Sequence, residues 1–417
     1  MAKSKPNQDH QDHLNKQLRT HAGDLAVHVA KFTRHLSGLG HTRRTTNDYG
    51  GSARHFVQWL ARAEIAVTNI NDAVIYRFRE HRCRCSGTHR TKRVSDKYLM
   101  RVRRFVEFLA ERGIVECEVK APAATRDGRV IEFQEWSRQH RGNCEQTIDL
   151  YGRMVMRLLP ALGNRPRSYD AHVIRAAIAA ESKQASIATV KSMTAALRGY
   201  LRFLGARGLC RPGLEHAVPS IAQHRLAGLP RYIGASDVER LIATCDLTTP
   251  IGIRDRAILL LLARLGLRAG DILSLRMDDI DWQQATVSIC GKGRRETSLP
   301  LPQDAGDALL AYLDRARSRV TDGRIFFMSK APFRPLTRSS VVSKIVGSAI
   351  RKAGIATPSR GANLLRHSAA TTMLRSGATL DMVGAVLRHR SPDMTAHYAK
   401  VDVMMLQQVA QPWPGDA

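Results

Sequence analysis

The stretch from Arg254 to Leu275, RDRAILLLLARLGLRAGDILSL, decides the fold of the second half of the chain. The run up to Leu265 is strongly apolar and is followed by Gly266, which predicts a buried helix that ends at this glycine. Helical periodicity continues from Asp271 to Leu275. Arg268 therefore lies at the junction between two helices and is the first candidate for a functional side chain.

Downstream of this stretch, the pattern changes to that of a small β-hairpin. We predict strands over Trp282–Cys290 and Thr297–Leu301, with Gly291–Arg295 as the turn that carries Lys292. A further short strand is predicted at Ile325–Met328, and helical patterns occupy the rest. The expected fold class is mainly α with a small β-hairpin or sheet in this half of the chain (α+β).

Polar side chains near the end of the chain occur where predicted helices begin or end. Arg366 lies within a helix, and His389 follows a short one. Tyr398 lies just beyond Ser391-Pro392, a favourable helix start. Taken one at a time, each has an ordinary interpretation: a solvated arginine, a buried histidine and a half-buried tyrosine. Their significance depends on their occurring together.

The first half of the chain contains two copies of one helical pattern. In the first copy, Thr45-x3-Tyr49 begins a pattern that ends at Gly113, and in the second, Thr147-x3-Tyr151 begins one that ends at Gly208. Apolar residues at i, i+3 and i+4 spacing predict about four helices in each copy. We therefore expect an N-terminal helical domain over 1–120, a second helical domain over 121–215, a linker over 216–230 and a last domain over 231–417.

The chain carries 65 lysine and arginine residues against 37 aspartate and glutamate residues, a formal net charge of +28. A surplus of this size predicts an anionic partner, and nucleic acid is the leading candidate. The sequence has no secretory h-region and no apolar run long enough to cross a membrane, and its seven cysteines are scattered. We expect a bacterial-type cytoplasmic protein, associated with the nucleoid when bound to DNA, with no membrane partner.

The segment His81-Arg-Cys-Arg-Cys-Ser-Gly-Thr-His89 contains soft metal ligands close together. Structural zinc sites are typically built from Cys-x2–4-Cys pairs, whereas this segment has one Cys-x-Cys motif and no second, distant pair. We therefore favour a basic loop near phosphate over a zinc site and expect no metal at this position.

Four segments of the second half resemble the sequence boxes of the tyrosine recombinases, also called phage integrases. They are Gly266–Leu275 for the first arginine box, Gly291–Pro300 for the lysine hairpin, Leu364–Thr371 for the second arginine box, and Leu387–His389 followed by Tyr398 for the last. They occur in family order and at family spacing. The helical copies upstream resemble the core-binding domain that precedes the catalytic domain in this family.

The resemblance implies a role for each residue of the boxes. Tyr398 would be the nucleophile that forms a 3′-phosphotyrosine bond, and its phenol must be activated because its ordinary pKa is about 10. Arg268 and Arg366 would bind the non-bridging phosphate oxygens, and Lys292 would protonate the departing 5′ oxygen. His389 would hydrogen-bond the phosphate or position Tyr398. Neither a metal nor a nucleotide cofactor is implied.

One position departs from the family pattern. The residue three before the second arginine is commonly histidine or lysine in the family, and here it is Asn363. Asparagine donates a hydrogen bond but exchanges no proton near neutral pH, so we expect slower chemistry. We predict that His367 points to another face of its helix and is a poor substitute. Asp271 is predicted to pair with or orient a nearby arginine.

The sequence as a whole predicts a site-specific DNA recombinase of a mobile element, acting as a homotetramer on double-stranded DNA, with or without sister recombinases. Two alternatives stay open. One is a DNA-binding accessory subunit with impaired catalysis, suggested by Asn363 and the doubled helical copy. The other is a type IB topoisomerase, which would share the tyrosine nucleophile but relax supercoils alone.

Overall fold

The computed structural model describes residues 25–81, 94–115, 127–222, 228–290, 296–318, 322–401 and 406. Their backbone forms two compact units. Residues 127–222 make up one unit, and the described residues before 116 and after 227 make up the other. No helix in these ranges is both long enough and apolar enough to span a membrane.

The first helical copy contains four helices: α1 (described over 25–38), α2 (Arg43–Arg62), α3 (Asp72–Glu80) and α4 (Asp96–Ala110). Their apolar faces meet in a core built around Phe32, Phe56, Phe78 and Phe105, each less than 2 % exposed. The aromatic rings pack edge to face or tilted, as in the Phe56–Phe78 pair with centroids 5.0 Å apart.

The second helical copy also contains four helices: α5 (Gly128–Arg141), α6 (Glu145–Leu162), α7 (Ala171–Ser182) and α8 (Ile187–Ala206). Phe133, Tyr200 and Phe203 lie at the centre of its core.

The two copies share their local structure at matching positions. In both, the third and fourth helices begin with a side-chain oxygen that accepts a hydrogen bond from the N–H three residues on: Asn71 and Ser95 in the first copy, Asp170 and Ser186 in the second. The turns after the fourth helices place Gly113 and Gly208 at the same left-handed φ of +67°. The domain boundaries proposed from the sequence remain predictions.

The last part of the chain is helical around a small sheet. Its elements are α9 (Ala235–Ala243), α10 (Pro250–Arg264), α11 (Ala269–Ser274), β1 (Ile280–Asp281), β2 (Thr286–Cys290), β3 (Glu296–Pro300), α12 (Gln303–Arg315), α13 (Ser339–Ala353), α14 (Asn363–Arg375), α15 (Leu380–Val386), α16 (Pro392–Ala396) and a 3-10 helix (His397–Val401). Helix α10 is central, because residues 257–262 are each at most 1 % exposed.

The three strands pair antiparallel in the order β1-β2-β3, with Val287 opposite Leu299. A mainly helical fold with one small sheet is confirmed. Two details of the strand prediction are wrong. Strand β2 begins at Thr286, because the Asp281 carboxylate accepts the N–H groups of Gln283 and Gln284 and forms a turn before it.

The strand predicted at 325–328 is reduced to one isolated bridge, Phe327 with Pro335, and a second bridge, Arg276 with Arg324, lies just before it. A proline opposite Phe327 has no N–H to extend the ladder, so pairing there does not propagate.

Candidate active site

A cavity of about 530 Å³ lies where α11, α13, α14 and the chain after α15 meet. It brings together most of the residues singled out in the sequence: Arg268, Asn363, Arg366, His389 and Tyr398 all line it. His367 and His397 line it as well. Lys292 falls between β2 and β3, outside the described residues.

The end of α10 shapes one wall of the cavity. Gly266 adopts a left-handed φ of +58°, and a Cβ at this position would lie 2.5 Å from the Cδ2 atom of Leu387. Glycine avoids both the backbone strain and the clash. The Gly266 carbonyl then accepts a hydrogen bond from Arg366 Nη1 at 2.5 Å, so this turn helps to hold the second arginine.

Main-chain carbonyls also hold both arginines against the segment after α15. Arg366 Nη2 donates to the carbonyl of Leu387. Arg268 Nη2 donates to the carbonyls of Leu387, at 3.4 Å, and Arg388, at 3.1 Å. The two guanidinium groups therefore share the Leu387 carbonyl as an anchor on one wall of the cavity.

Asp271 connects that segment back to the first arginine. Its carboxylate pairs with the guanidinium of Arg388, and both side chains are less than 10 % exposed. The same carboxylate accepts the backbone N–H of Arg268 at 2.8 Å. Arg388 has a left-handed φ of +53°, which is uncommon for a residue with a side chain. The ion pair thus accompanies the turn that directs the two carbonyls at the arginines.

The arginines concentrate positive charge in a partly buried site. Burial, together with the charges of Arg268 and Arg388, lowers the pKa of Arg366 to about 10. Burial also lowers the pKa of Arg268. Both guanidinium groups stay protonated at neutral pH, so this wall favours an anion.

Tyr398 lines the same cavity from the 3-10 helix and is 2 % exposed. Its hydroxyl is 2.7 Å from His367 Nδ1. Burial raises the pKa of the Tyr398 phenol, and the positive charge of Arg366 opposes that shift.

The prediction that His367 points to another face of its helix is wrong, because this side chain faces the cavity and contacts Tyr398. The prediction considered only its position next to Arg366. Residues at i and i+4 share one helix face, and His367 lies four residues after Asn363, so it reaches the same cavity one turn later.

His389 packs on the other side of the tyrosine. Its ring is parallel to that of Tyr398 within 5°, with centroids 6.2 Å apart, and its Nδ1 lies 2.8 Å from Thr395 Oγ1. Burial lowers the pKa of His389 to about 4, and the cations Arg366 and Arg268 act in the same direction. The imidazole is therefore neutral at neutral pH.

His397 is a cavity residue that the sequence did not single out. Its ring centroid lies 5.9 Å from that of Tyr398 and 6.3 Å from that of His367. Its buried Nδ1 has no hydrogen-bond partner in the part of the chain that the structure describes. The feature of the sequence that could have identified His397 as a site residue is its position directly before Tyr398.

Asn363 is exposed at the first turn of α14 and lines the cavity. The cysteine segment at 83–85 lies outside the described residues. Among the described residues, no three His, Cys, Asp or Glu side chains are placed to hold one metal ion.

Residues 231–404 match the model of the phage integrase family. A Sinorhizobium fredii protein named as an integrase/recombinase, y4rA, is 35 % identical over 403 residues, which covers 95 % of this chain and 96 % of the relative. The tyrosine recombinase XerD of Listeria monocytogenes is 32 % identical over 229 residues, 54 % of this chain and 75 % of the relative.

Solved structures show the same fold. The recombinase XerH in a post-cleavage complex with palindromic difH substrate matches with a TM-score of 0.55 at 20 % identity, over 68 % of this chain and 84 % of that one. A lambda integrase dimer (75–356) bound to a COC′ core site matches with a TM-score of 0.51 at 16 % identity, over 70 % and 98 %.

This chain belongs to the phage integrase family of tyrosine recombinases, the class of protein that performs site-specific DNA recombination. The resemblance found in the four sequence boxes is confirmed.

Proposed function

We propose that the chain cuts and rejoins duplex DNA with Tyr398 as the nucleophile, for recombination of a mobile element. The observation that carries this proposal is the shared cavity: the Tyr398 residue and the two anchored arginines line one space of about 530 Å³. A phosphodiester in that space would meet both a nucleophile and two positive charges.

In the proposed reaction, Arg268 and Arg366 bind the non-bridging oxygens. A guanidinium has five N–H donors, and Arg366 uses Nη1 and Nη2 donors for carbonyls, which leaves further donors for phosphate. These bonds strengthen as charge accumulates in the transition state. Arginines that are held before the substrate arrives need no reorganisation when the reaction occurs.

The oxygen of Tyr398 would then bond to phosphorus, and the bond from phosphorus to the 5′ oxygen would break. Lys292 would protonate that oxygen, and His389, neutral and beside the tyrosine ring, would hydrogen-bond the phosphate or position the phenol. The phosphotyrosine bond keeps the energy of the broken phosphodiester, so the reverse attack by a 5′ hydroxyl reseals DNA without an external energy source.

Duplex DNA is the proposed partner, as it is for the XerH and lambda integrase structures. The net charge of +28 supports it. In the first helical copy, the exposed residues Arg34, Arg43 and Arg54 line a groove of about 490 Å³ that suits backbone phosphates. Four copies on two DNA sites are the assembly that the family resemblance implies, and mass measurement of the DNA complex would test it.

Covalent capture of DNA tests this function directly. A library of duplexes with randomised sequence and a nick near the centre is incubated with the protein, and DNA that stays attached after denaturation is sequenced. We expect the wild type to capture a defined sequence. Tyr398→Phe should bind the same duplex, because it keeps the ring, and capture none.

Two other outcomes would indicate the accessory-subunit function or the topoisomerase function instead. A wild type that binds duplex DNA with a steep salt dependence and never captures it would be an accessory subunit. Relaxation of supercoiled plasmid by isolated monomers, without exchange between two sites, would indicate a topoisomerase.

A further inference from the structure

The Tyr398 hydroxyl has one hydrogen-bond partner that is itself able to take a proton. His367 Nδ1 lies 2.7 Å from the phenolic oxygen, within the range expected for a strong O–H···N contact. His367 is positioned by the backbone of α14, the helix that also carries Arg366. The contact joins residues that are 31 positions apart, so it belongs to the tertiary structure of the site.

We propose that His367 is a catalytic residue that accepts the phenolic proton of Tyr398 as the tyrosine attacks the phosphodiester. The proposal rests on the proposed nucleophilic role of Tyr398. The sequence suggested that asparagine at position 363, in place of the usual histidine or lysine, leaves the nucleophile without a proton acceptor. The proposal for His367 replaces that expectation.

The other cavity side chains fit this role less well. The amide of Asn363 takes up no proton near neutral pH. The Nδ1 of His389 contacts Thr395, its ring lies parallel to the tyrosine ring, and among the described residues no hydrogen bond joins it to the phenolic oxygen. His367 instead directs a ring nitrogen at the hydroxyl.

The surroundings of His367 keep it ready to accept a proton. The charged or titratable groups that face it come from its own helix, from the segment before α9, from the turn after α15 and from the 3-10 helix: Arg366, Arg231, His389, His397 and Tyr398. Burial lowers the pKa of His367 below its ordinary value, and the neighbouring cations act in the same direction. The ring is therefore neutral at neutral pH.

The proton transfer balances within the site. In the tautomer with hydrogen on Nε2, Nδ1 accepts the phenolic proton, and the electron pair left on oxygen forms the bond to phosphorus. The 5′ oxygen leaves with the pair of the broken bond and takes a different proton, from the proposed donor Lys292. The phosphate brings negative charge beside the new imidazolium and favours it. Reversal of these steps reseals the strand.

The test uses the full-length protein and a nicked duplex that the wild type has been shown to capture. His367→Asn keeps a polar group that hydrogen-bonds the phenol but cannot take its proton. We expect the rate of covalent capture to fall by about 10²–10⁴-fold, the usual contribution of general base catalysis, while duplex binding stays unchanged. In His367→Ala, added imidazole should restore part of the rate.

A second substrate distinguishes a residue that accepts the proton of the nucleophile from one that donates a proton to the leaving group. A duplex with sulfur in place of the bridging 5′ oxygen has a leaving group that departs without protonation. It should restore capture by Lys292→Ala and leave His367→Asn slow. Capture by His367→Asn at the wild-type rate, or its full restoration by the sulfur substrate, would overturn the proposal. A wild type that captures no DNA at all would instead refute Tyr398 as the nucleophile.

Discussion

The cavity has two walls that are held in different ways. The arginine wall consists of Arg268 and Arg366, which line the cavity, and of the supporting Asp271–Arg388 ion pair, which does not line it. The tyrosine wall consists of His367, His389, His397 and Tyr398. On the arginine wall, the carbonyls of Gly266, Leu387 and Arg388 bind the guanidinium groups of Arg268 and Arg366. On the tyrosine wall, the contacts join side chains: ring packing, and the hydrogen bonds between His367 and Tyr398 and between His389 and Thr395.

Because they are held in different ways, the two walls are suited to different tasks. Main-chain carbonyls do not titrate, so they hold the two guanidinium groups in place independently of pH, and both groups are charged at neutral pH. Neutral imidazoles do titrate, so the tyrosine wall can move a proton but is sensitive to acid. The arginine wall is therefore suited to binding a phosphate, and the tyrosine wall to activating a nucleophile.

After the Tyr398 and His367 variants described above, the largest expected effect is on the arginine wall. Arg366→Ala should lower the rate of covalent capture by about 10²–10³-fold, because it removes preorganised donors from the developing charge. Arg366→Lys should recover little of this, since an ammonium cannot make the forked contacts of a guanidinium. Capture time courses with saturating duplex measure both. Wild-type rates in the lysine variant would mean that charge alone is sufficient.

Asp271→Asn should destabilise the arginine wall by about 1.5–3 kcal/mol in the free energy of unfolding, the usual value for a hydrogen bond to a charged group. Asparagine still accepts the N–H of Arg268 but leaves the buried Arg388 cation without a counter-charge. Urea denaturation measures the change.

Asp304→Asn is the matched control, because its partner Arg264 is considerably more exposed. It should cost at most about 1 kcal/mol. Equal losses in the two variants would show that burial of the Arg388 pair is unimportant.

Gly266→Ala should cost about 1–2 kcal/mol, because a left-handed backbone is strained for alanine. Gly270→Ala is the control. It lies in α11 with nothing within 4 Å of a new Cβ, and alanine favours a helix. In thermal unfolding, the midpoint temperature should be lower than wild type for Gly266→Ala and equal or higher for Gly270→Ala. The opposite order would contradict the described turn.

The smallest effect concerns acid and the tyrosine wall. The pKa of His389 is lowered to about 4 from its ordinary 6.5, so the unfolded chain binds the proton more readily than the folded one. Its contribution to stability is complete above pH 6.5 and is lost as the pH falls towards 4. In His389→Gln, the midpoint of urea denaturation should depend less on pH between pH 7 and pH 5 than in the wild type. Arg366, with a pKa of about 10, contributes nothing in this range.

Much of the fold follows from local patterns. The apolar periodicity and the turn glycines locate α10, the hairpin and the repeated helices, because these signals act over a few neighbouring residues. The same patterns overestimated β2, because they missed the local side-chain turn at Asp281. They overestimated the strand at 325–328, because its proline partner is decided by pairing with a separate segment. His397 and the left-handed Arg388 gave no periodic signal at all.

The sequence by itself determined the helices, the hairpin and the types of reactive residue. It could do so because hydrophobic spacing and glycine placement depend on immediate neighbours. Only the tertiary structure decided that His367 meets Tyr398 and that the carbonyls of Gly266 and Leu387 hold Arg366. These contacts span from 21 to 100 positions of the chain, and they form only when α10, α14 and the segment after α15 bury their apolar faces together.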